Sequence, residues 1–166
     1  MKFYLVDRIT GIEPGRRIMG TKCLSLAEEY LADHFPAFPV LPGVLMLEAL
    51  VQTAAWLLRI EQGWSRSLIV LAEARNVRYG HFVAPGHTLT TEVELVKVEG
   101  DLTTVKGSGT VGDGQQAVQG RLVIRSFNVA DVCPAAVGAD RRIIAQLRKQ
   151  FELIGGPEAL AAAGGG

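Results

Sequence analysis

The amino-acid sequence predicts an α+β domain, with one long buried helix and about six antiparallel strands. The segment from Val44 to Ile60 is rich in strong helix formers and apolar around almost its whole circumference, which is typical of a helix buried on most sides. Four later segments have strand character and are joined by short turns. Because short connections between successive strands favour antiparallel pairing, these segments predict a meander.

The chain before the long helix contains two short extended segments. Phe3 to Ile9 is apolar and partly alternating, and Arg17 to Leu24 follows a turn formed by Glu13, Pro14 and Gly15. A short helical turn is expected from Ser25 to Tyr30.

The segment from His34 to Gly43 carries a proline at every third position, at Pro36, Pro39 and Pro42. Each proline fixes its own φ and biases the residue before it towards extended geometry. The segment therefore predicts a stiff, non-helical loop that can hold a side chain in one place.

Turn signals separate the four segments of strand character that follow the helix. These signals are Pro85-Gly86, Glu99-Gly100-Asp101 and Gly112-Asp113-Gly114. The predicted strands run from Leu68 to Tyr79, Thr88 to Val98, Leu102 to Val111 and Ala117 to Phe127.

The remainder of the chain, residues 129–166, has a different texture. Apolar residues recur at helical spacing, which predicts one amphipathic helix packed on the domain; they are Ile143, Ile144, Leu147, Phe151 and Ile154. Residues 161–166 are expected to fray. We therefore divide the chain into a main domain, residues 1–128, and a C-terminal extension, residues 129–166.

Composition and charge exclude several classes of protein. The 166 residues include 17 basic and 17 acidic side chains, and this zero net charge argues against a nucleic-acid binder. No run of twenty uncharged apolar residues predicts a membrane span, and the N-terminus lacks the apolar core of a signal peptide. Cys23 and Cys133 lie far apart, which suits a reducing compartment. The expected location is the cytoplasm.

The sequence around two patterns argues against a nucleotide site and against a metal site. Residues 107–112 match the dinucleotide pattern G-x-G-x-x-G, but a turn and a strand follow where that fingerprint needs a helix. We interpret these glycines as strand bends or close packing. His34, His81 and His87 lack metal-ligand spacing, so no metal is expected.

The candidate chemistry lies around the start of the long helix. Glu48 is a carboxylate inside the most apolar helix, with Gln52 four residues later on the same face. A buried carboxylate is usually paired, neutralised or functional, so Glu48 is either a hydrogen-bonded core residue or an acid at the floor of an apolar cleft. His34 is a suitable base near neutral pH, and the backbone N–H of Gly43 can bind a carbonyl oxygen that gains negative charge.

These residues belong to a motif that resembles the signature of the (3R)-hydroxyacyl-[acyl-carrier-protein] dehydratases. The motif runs from His34-Phe35-Pro36 through Pro39, Pro42-Gly43-Val44-Leu45 and Glu48-Ala49 to Gln52, and the resemblance extends over about residues 3–127. It implies a hot-dog fold, in which an antiparallel sheet wraps around a long central helix. It also implies a homodimer, often assembled into a hexamer, in which His34 of one subunit faces Glu48 of the other.

The resemblance further implies the reaction, the removal of water from a (3R)-hydroxyacyl thioester to give the trans-2-enoyl thioester of fatty acid elongation. In this hydro-lyase His34 would take the C2 proton, Glu48 would help the 3-hydroxyl leave, Gly43 would bind the thioester oxygen and Gln52 would orient Glu48. Apolar residues would line the acyl site; they are Phe35, Pro42 and Val44. The implied partner is an acyl carrier protein, and no cofactor or metal is required.

The chain departs from the family pattern at Asp33, before the histidine, at the bulky Phe38 and at His87, and these changes bear on substrate range. Basic residues that could meet an acidic carrier are Arg16, Arg17, Arg75 and Arg78. Three alternatives stay open: the same chemistry on a polyketide or CoA thioester, a thioesterase, and a non-catalytic acyl-binding protein.

Overall fold

The computed structural model describes residues 3–164. Its order of elements agrees with the sequence prediction, but the first strand was placed too early: it runs over Arg8–Glu13, and the apolar residues before it form no strand. The strands are β1 (Arg8–Glu13), β2 (Arg17–Cys23), β3 (Leu68–Tyr79), β4 (Thr88–Glu99), β5 (Leu102–Val111) and β6 (Gln115–Phe127). The helices are α1 (Gly43–Glu61), α2 (Val129–Val132), α3 (Val137–Leu153) and α4 (Gly156–Ala163). The helical turn expected between Ser25 and Tyr30 is a 3-10 turn at Glu29–Leu31.

One six-stranded antiparallel sheet surrounds α1, with the strand order β1-β2-β4-β5-β6-β3. The buried side of α1 packs on the sheet, and Ala49, Leu50 and Leu57 have no exposed surface. Burial of a leucine side chain contributes about 1.5–3 kcal/mol, so these contacts of α1 with the sheet stabilise the core. Within residues 3–164, α1 is also the one helix long and apolar enough to cross a membrane, but 61% of its most apolar stretch is buried in this domain.

The glycine-rich pattern at residues 107–112 lies in β5 and its turn, and no helix begins inside it. A Cβ atom on Gly107 would come within 3.1 Å of Leu50, and one on Gly109 within 2.8 Å of Val118. The prediction that these glycines permit close packing is therefore confirmed. Gly107 lets β5 approach α1.

The C-terminal extension has more helix than predicted. The single amphipathic helix corresponds to α3, but α2 precedes it and α4 follows it. Gly155 has a positive φ of 79° and ends α3, so the chain turns and a second helix begins. The expected fraying from residue 161 is wrong up to Ala163, because Ala159 is buried and holds α4 on the core; residues 165–166 lie outside the described residues.

The two edge strands of the sheet differ in their surroundings. The C-terminal extension lies along the β1 edge. There the N–H of Ile9 donates to the carbonyl of Ile154 at 2.8 Å, and α4 packs against β1. The other edge is β3, which pairs with β6 on one side, and most of its side chains are exposed, including the apolar Val70 and Tyr79.

Candidate active site

The proline-rich segment places His34 in a short irregular loop before α1. Phe35 has a positive φ of 50°, which is unusual for a side chain of this size and indicates local backbone strain. The imidazole of His34 lies against the ring of Phe35, with 4.5 Å between the ring centroids. The N–H of Leu41 donates to the carbonyl of Val83 at 2.8 Å, which anchors the loop to the segment between β3 and β4. His34 is half-buried in this arrangement.

His34 opens into a cleft of about 290 Å³ at the start of α1. Its walls come from the proline loop, the first turn of α1 and the end of β3; they include Phe35, Gly43, Met46, Tyr79 and Phe82. Burial raises the pKa of the Tyr79 hydroxyl, so this group stays protonated and available as a hydrogen-bond donor. The exposed His81 lines the cleft as well, so two imidazoles lie among mostly apolar walls.

Gly43 is the first residue of α1 and follows Pro42, which stands at the N-cap. The N–H of a first helical residue has no acceptor within its own helix, and the helix dipole favours negative charge at this end. The absence of a side chain at Gly43 matters, because a Cβ atom there would lie only 3.2 Å from the ring of Tyr79. Gly43 thus keeps a helix N-terminus open beside His34.

Glu48 and Gln52 interact as their spacing predicts. The side-chain amide of Gln52 donates to Oε1 of Glu48 at 3.0 Å and to the carbonyl of Phe3 at 3.0 Å. Its oxygen accepts the backbone N–H of Leu5 at 3.0 Å. Gln52 is therefore fixed by the N-terminal segment and in turn fixes the carboxylate of Glu48.

A second pocket, of about 210 Å³, contains Glu48 and Gln52. Residues of the N-terminal segment, α1, β3 and α3 line it; they include Tyr4, Trp56, Arg59, Ile69 and Leu147. None of its lining residues also lines the cleft of His34. Within one chain, His34 and Glu48 therefore belong to different pockets.

The three residues predicted to line the acyl site have different surroundings. Phe35 lies in the cleft with His34, Pro42 is buried at the start of α1, and Val44 is 70% exposed. Sequence reasoning missed Tyr79 and Phe82, which line the cleft although they are 45 residues or more from His34 in the chain. The bond from Leu41 to Val83 holds this segment next to the start of α1, and no short-range pattern in the sequence indicates that contact.

The structure also places the three residues at which the chain departs from the family pattern. Asp33 is exposed, and no ion pair joins it to His34 in the described part of the chain. The ring of Phe38 packs edge-to-face against Phe82, with centroids 5.6 Å apart, at the rim of the His34 cleft. His87 is exposed in the turn before β4.

The remaining candidates are the metal-ligating side chains and the four arginines considered for contact with a carrier. Between residues 3 and 164, no group of three His, Cys, Asp or Glu side chains has the geometry to hold a metal ion. Among the four arginines considered for carrier contact, Arg16 and Arg17 pair with Glu13, and Arg75 pairs with Glu73. Arg78 is exposed on β3.

Known proteins of similar sequence are dehydratases of the kind that the motif from His34 to Gln52 resembles. The FabA-like domain family matches residues 1–126. The 3-hydroxyacyl-[acyl-carrier-protein] dehydratase FabZ of Bacillus subtilis is 42% identical over 113 residues, which cover 68% of this chain and 79% of the relative. The enzyme of the same name from Geobacillus thermodenitrificans is 44% identical over 110 residues, which cover 66% of this chain and 75% of the relative.

Solved structures of similar shape support the fold. The dehydratase heterocomplex ApeI:P from Xenorhabdus doucetiae superposes with a TM-score of 0.65 over 81% of this chain and 90% of that chain, at 18% identity. A mutant of the fluoroacetyl-CoA-specific thioesterase FlK superposes with a TM-score of 0.60 over 76% of this chain and 96% of that chain, at 15% identity. Together with the sheet wrapped around α1, these likenesses confirm the predicted hot-dog fold.

Proposed function

Because the chain belongs to the FabA-like family, as one of its FabZ-type 3-hydroxyacyl-[acyl-carrier-protein] dehydratases, we propose that it removes water from (3R)-hydroxyacyl thioesters carried by an acyl carrier protein. The product is the trans-2-enoyl thioester of fatty acid elongation. The main structural support is the arrangement around the start of α1, where Gly43 opens the helix beside His34 and Gln52 fixes Glu48 one turn further on.

The proposed chemistry is an acid–base elimination. His34 removes the proton at C2, and the electron pair of that bond forms the C2–C3 double bond as the C3–O bond breaks. The carboxyl group of Glu48 supplies the proton with which the hydroxyl leaves as water. The N–H of Gly43 donates to the thioester oxygen while that oxygen gains negative charge, an arrangement worth several kcal/mol in well-oriented sites.

We place the base and the acid of one reaction on two subunits of a homodimer. This assignment is supported by the separation of His34 and Glu48 into different pockets of one chain. It is supported as well by β3, whose unpaired edge carries exposed apolar side chains and can pair with β3 of a second copy. In such a dimer each active site takes His34 from one protomer and Glu48 from its partner.

A mixing experiment tests both the residues and their division between subunits. His34→Ala and Glu48→Ala are each expected to abolish hydration of a crotonyl-carrier thioester, the reverse reaction followed by loss of enoyl absorbance. Refolding the two variants together in equal amounts gives heterodimers with one intact site in half of the dimers, so about a quarter of wild-type activity returns. Each variant refolded alone is the control.

The outcomes are distinct. Activity in either single variant would remove that residue from the mechanism, and no recovery in the mixture would place the complete site within one chain. Release of free thiol instead of a change at C2–C3 would identify a thioesterase. Measurement of the particle mass in the same samples separates a dimer from a trimer of dimers.

The remaining parts of the proposal concern partners and place. The carrier docks beside the His34 cleft, where exposed Arg78 offers a positive charge to an acidic surface. The catalytic unit is residues 1–128, and residues 129–166 form the extension that packs on it. The enzyme works in the cytoplasm, where the carrier-bound intermediates are made.

A further inference from the structure

Arg59 is a buried cation without a counter-charge. It lies on the second half of α1 with only 8% of its surface exposed, and its Nε atom has no hydrogen-bond partner. Among residues 3–164, no carboxylate forms an ion pair with it. Burial lowers its pKa to about 10, which still leaves the guanidinium charged at neutral pH. A buried charge of this kind is costly unless something compensates it.

Arg59 lies on the same face of α1 as Glu48. Eleven residues separate the two, which is three helical turns plus about 20°, so both side chains project from the same face of α1. The Cζ atom of Arg59 lies 5.0 Å from the ring centroid of Trp56, so the guanidinium packs on a side chain that lines the same pocket. Both residues line the same pocket of about 210 Å³.

The walls between Glu48 and Arg59 suit an acyl chain. Val51, Ala55 and Ile69 are apolar, and Trp56 adds an aromatic face. The C-terminal extension contributes Leu147 and Gln150 of α3, and both lie outside the region that matches the FabA-like family. The family domain therefore supplies the floor of this pocket, whereas the extension supplies part of its cover.

From this pocket we infer that the enzyme accepts acyl thioesters whose far end is a carboxylate, with Arg59 as the residue that binds it. The inference rests on the proposed function, because Glu48 must hold the C3 end of the chain. The single guanidinium of Arg59 can neutralise the single negative charge of a terminal carboxylate. At about 30 Å³ per non-hydrogen atom, taken from the volume of a water, the pocket holds about seven atoms. We therefore choose an eight-carbon chain for the test, which places five carbons and two carboxylate oxygens beyond C3.

The test compares two eight-carbon trans-2-enoyl carrier thioesters, one with a terminal methyl group and one with a terminal carboxylate. A charge-assisted hydrogen bond in a buried site is worth enough for about a tenfold or greater preference in kcat/KM for the carboxylate. We expect this preference in the wild type and its loss in Arg59→Met. The matched control is Arg148→Met, because Arg148 stacks on Trp64 at 4.8 Å in the neighbouring cluster and does not line the pocket.

A binding measurement separates this inference from the proposed reaction. Hexanoate is titrated against the tryptophan fluorescence of the dimeric enzyme, with hexanamide as the neutral match of the same shape. Saturable quenching by hexanoate alone, lost in Arg59→Met and kept in Arg148→Met, supports the site even if neither thioester is turned over. Turnover of both thioesters with equal kcat/KM, or quenching that is unchanged in Arg59→Met, would overturn it and would leave the dehydratase proposal intact.

Discussion

The side chain of Gln52 is the point at which stability and the proposed chemistry depend on the same atoms. The substitution Gln52→Ala removes its three hydrogen bonds, to Leu5, Phe3 and Glu48. Leu5 is only 1% exposed, so its N–H would lose its acceptor in a buried place, at a cost of about 1–3 kcal/mol. The two bonds that the amide donates contribute roughly 0.5–1.5 kcal/mol each.

The expected loss in the free energy of unfolding is therefore about 3 kcal/mol, measured by urea denaturation at equilibrium. The same substitution leaves the carboxylate of Glu48 without its orienting donor. A misplaced catalytic group costs up to about a hundredfold in rate, so we expect kcat to fall by at least tenfold with a small change in KM.

The control is Gln62→Ala, near the other end of α1, where the amide donates a single bond to Ser126 at 3.0 Å. That change should cost about 1 kcal/mol and leave kcat as it is. If Gln52→Ala proved no less stable than Gln62→Ala, the three-way bridge would not support the N-terminal segment. If Gln52→Ala kept the wild-type kcat, Gln52 would have no part in positioning Glu48.

Two further predictions concern the packing of the chain. Gly80→Ala should lower the midpoint of thermal unfolding, because its Cβ would clash with the carbonyl oxygen of Gln116. Gly138→Ala, on the exposed face of α3, should leave the midpoint unchanged or raise it. An equal effect of the two would disprove the contact. The hydroxyl of Ser67, with backbone N–H groups of α2, holds the pKa of Asp140 below its ordinary value, so its stabilising effect is complete above about pH 4 and is lost as the pH falls through the folded-state pKa. The stability gap between wild type and Asp140→Asn should therefore shrink in acid, and a gap independent of pH would contradict this role.

The sequence predicted most of the fold because its local signals agree with the tertiary structure. The all-round apolar character of α1 and the turns between the later strands left few alternatives, and the motif from His34 to Gln52 indicated the family. The contact between Glu48 and Gln52 follows from helical spacing alone. These features depend on residues that are close in the chain.

Features that depend on distant residues could not be predicted in the same way. Tyr79 and Phe82 reach the His34 cleft only through the path of β3 and the turn after it. Arg59 lies near the end of α1, and nothing in the neighbouring sequence indicates that it is buried. The second helix of the extension is a different case, because Gly155 at the end of α3 and Pro157 in the first turn of α4 are local signals that the single-helix prediction did not take into account.

The two edges of the sheet are unequally open to pairing with another copy of this protein. At the β1 edge the N–H of Ile9 donates to the carbonyl of Ile154 and α4 packs alongside, so in the proposed dimer through β3 the other edge of each molecule would be partly covered by its own C-terminal segment. A chain that ends before α3 would have an unpaired edge strand on both sides of its sheet. Alternating contacts through both edges never close on themselves, so such chains would grow into ribbons rather than discrete particles. We therefore expect the extension to limit association through strands to the proposed pair.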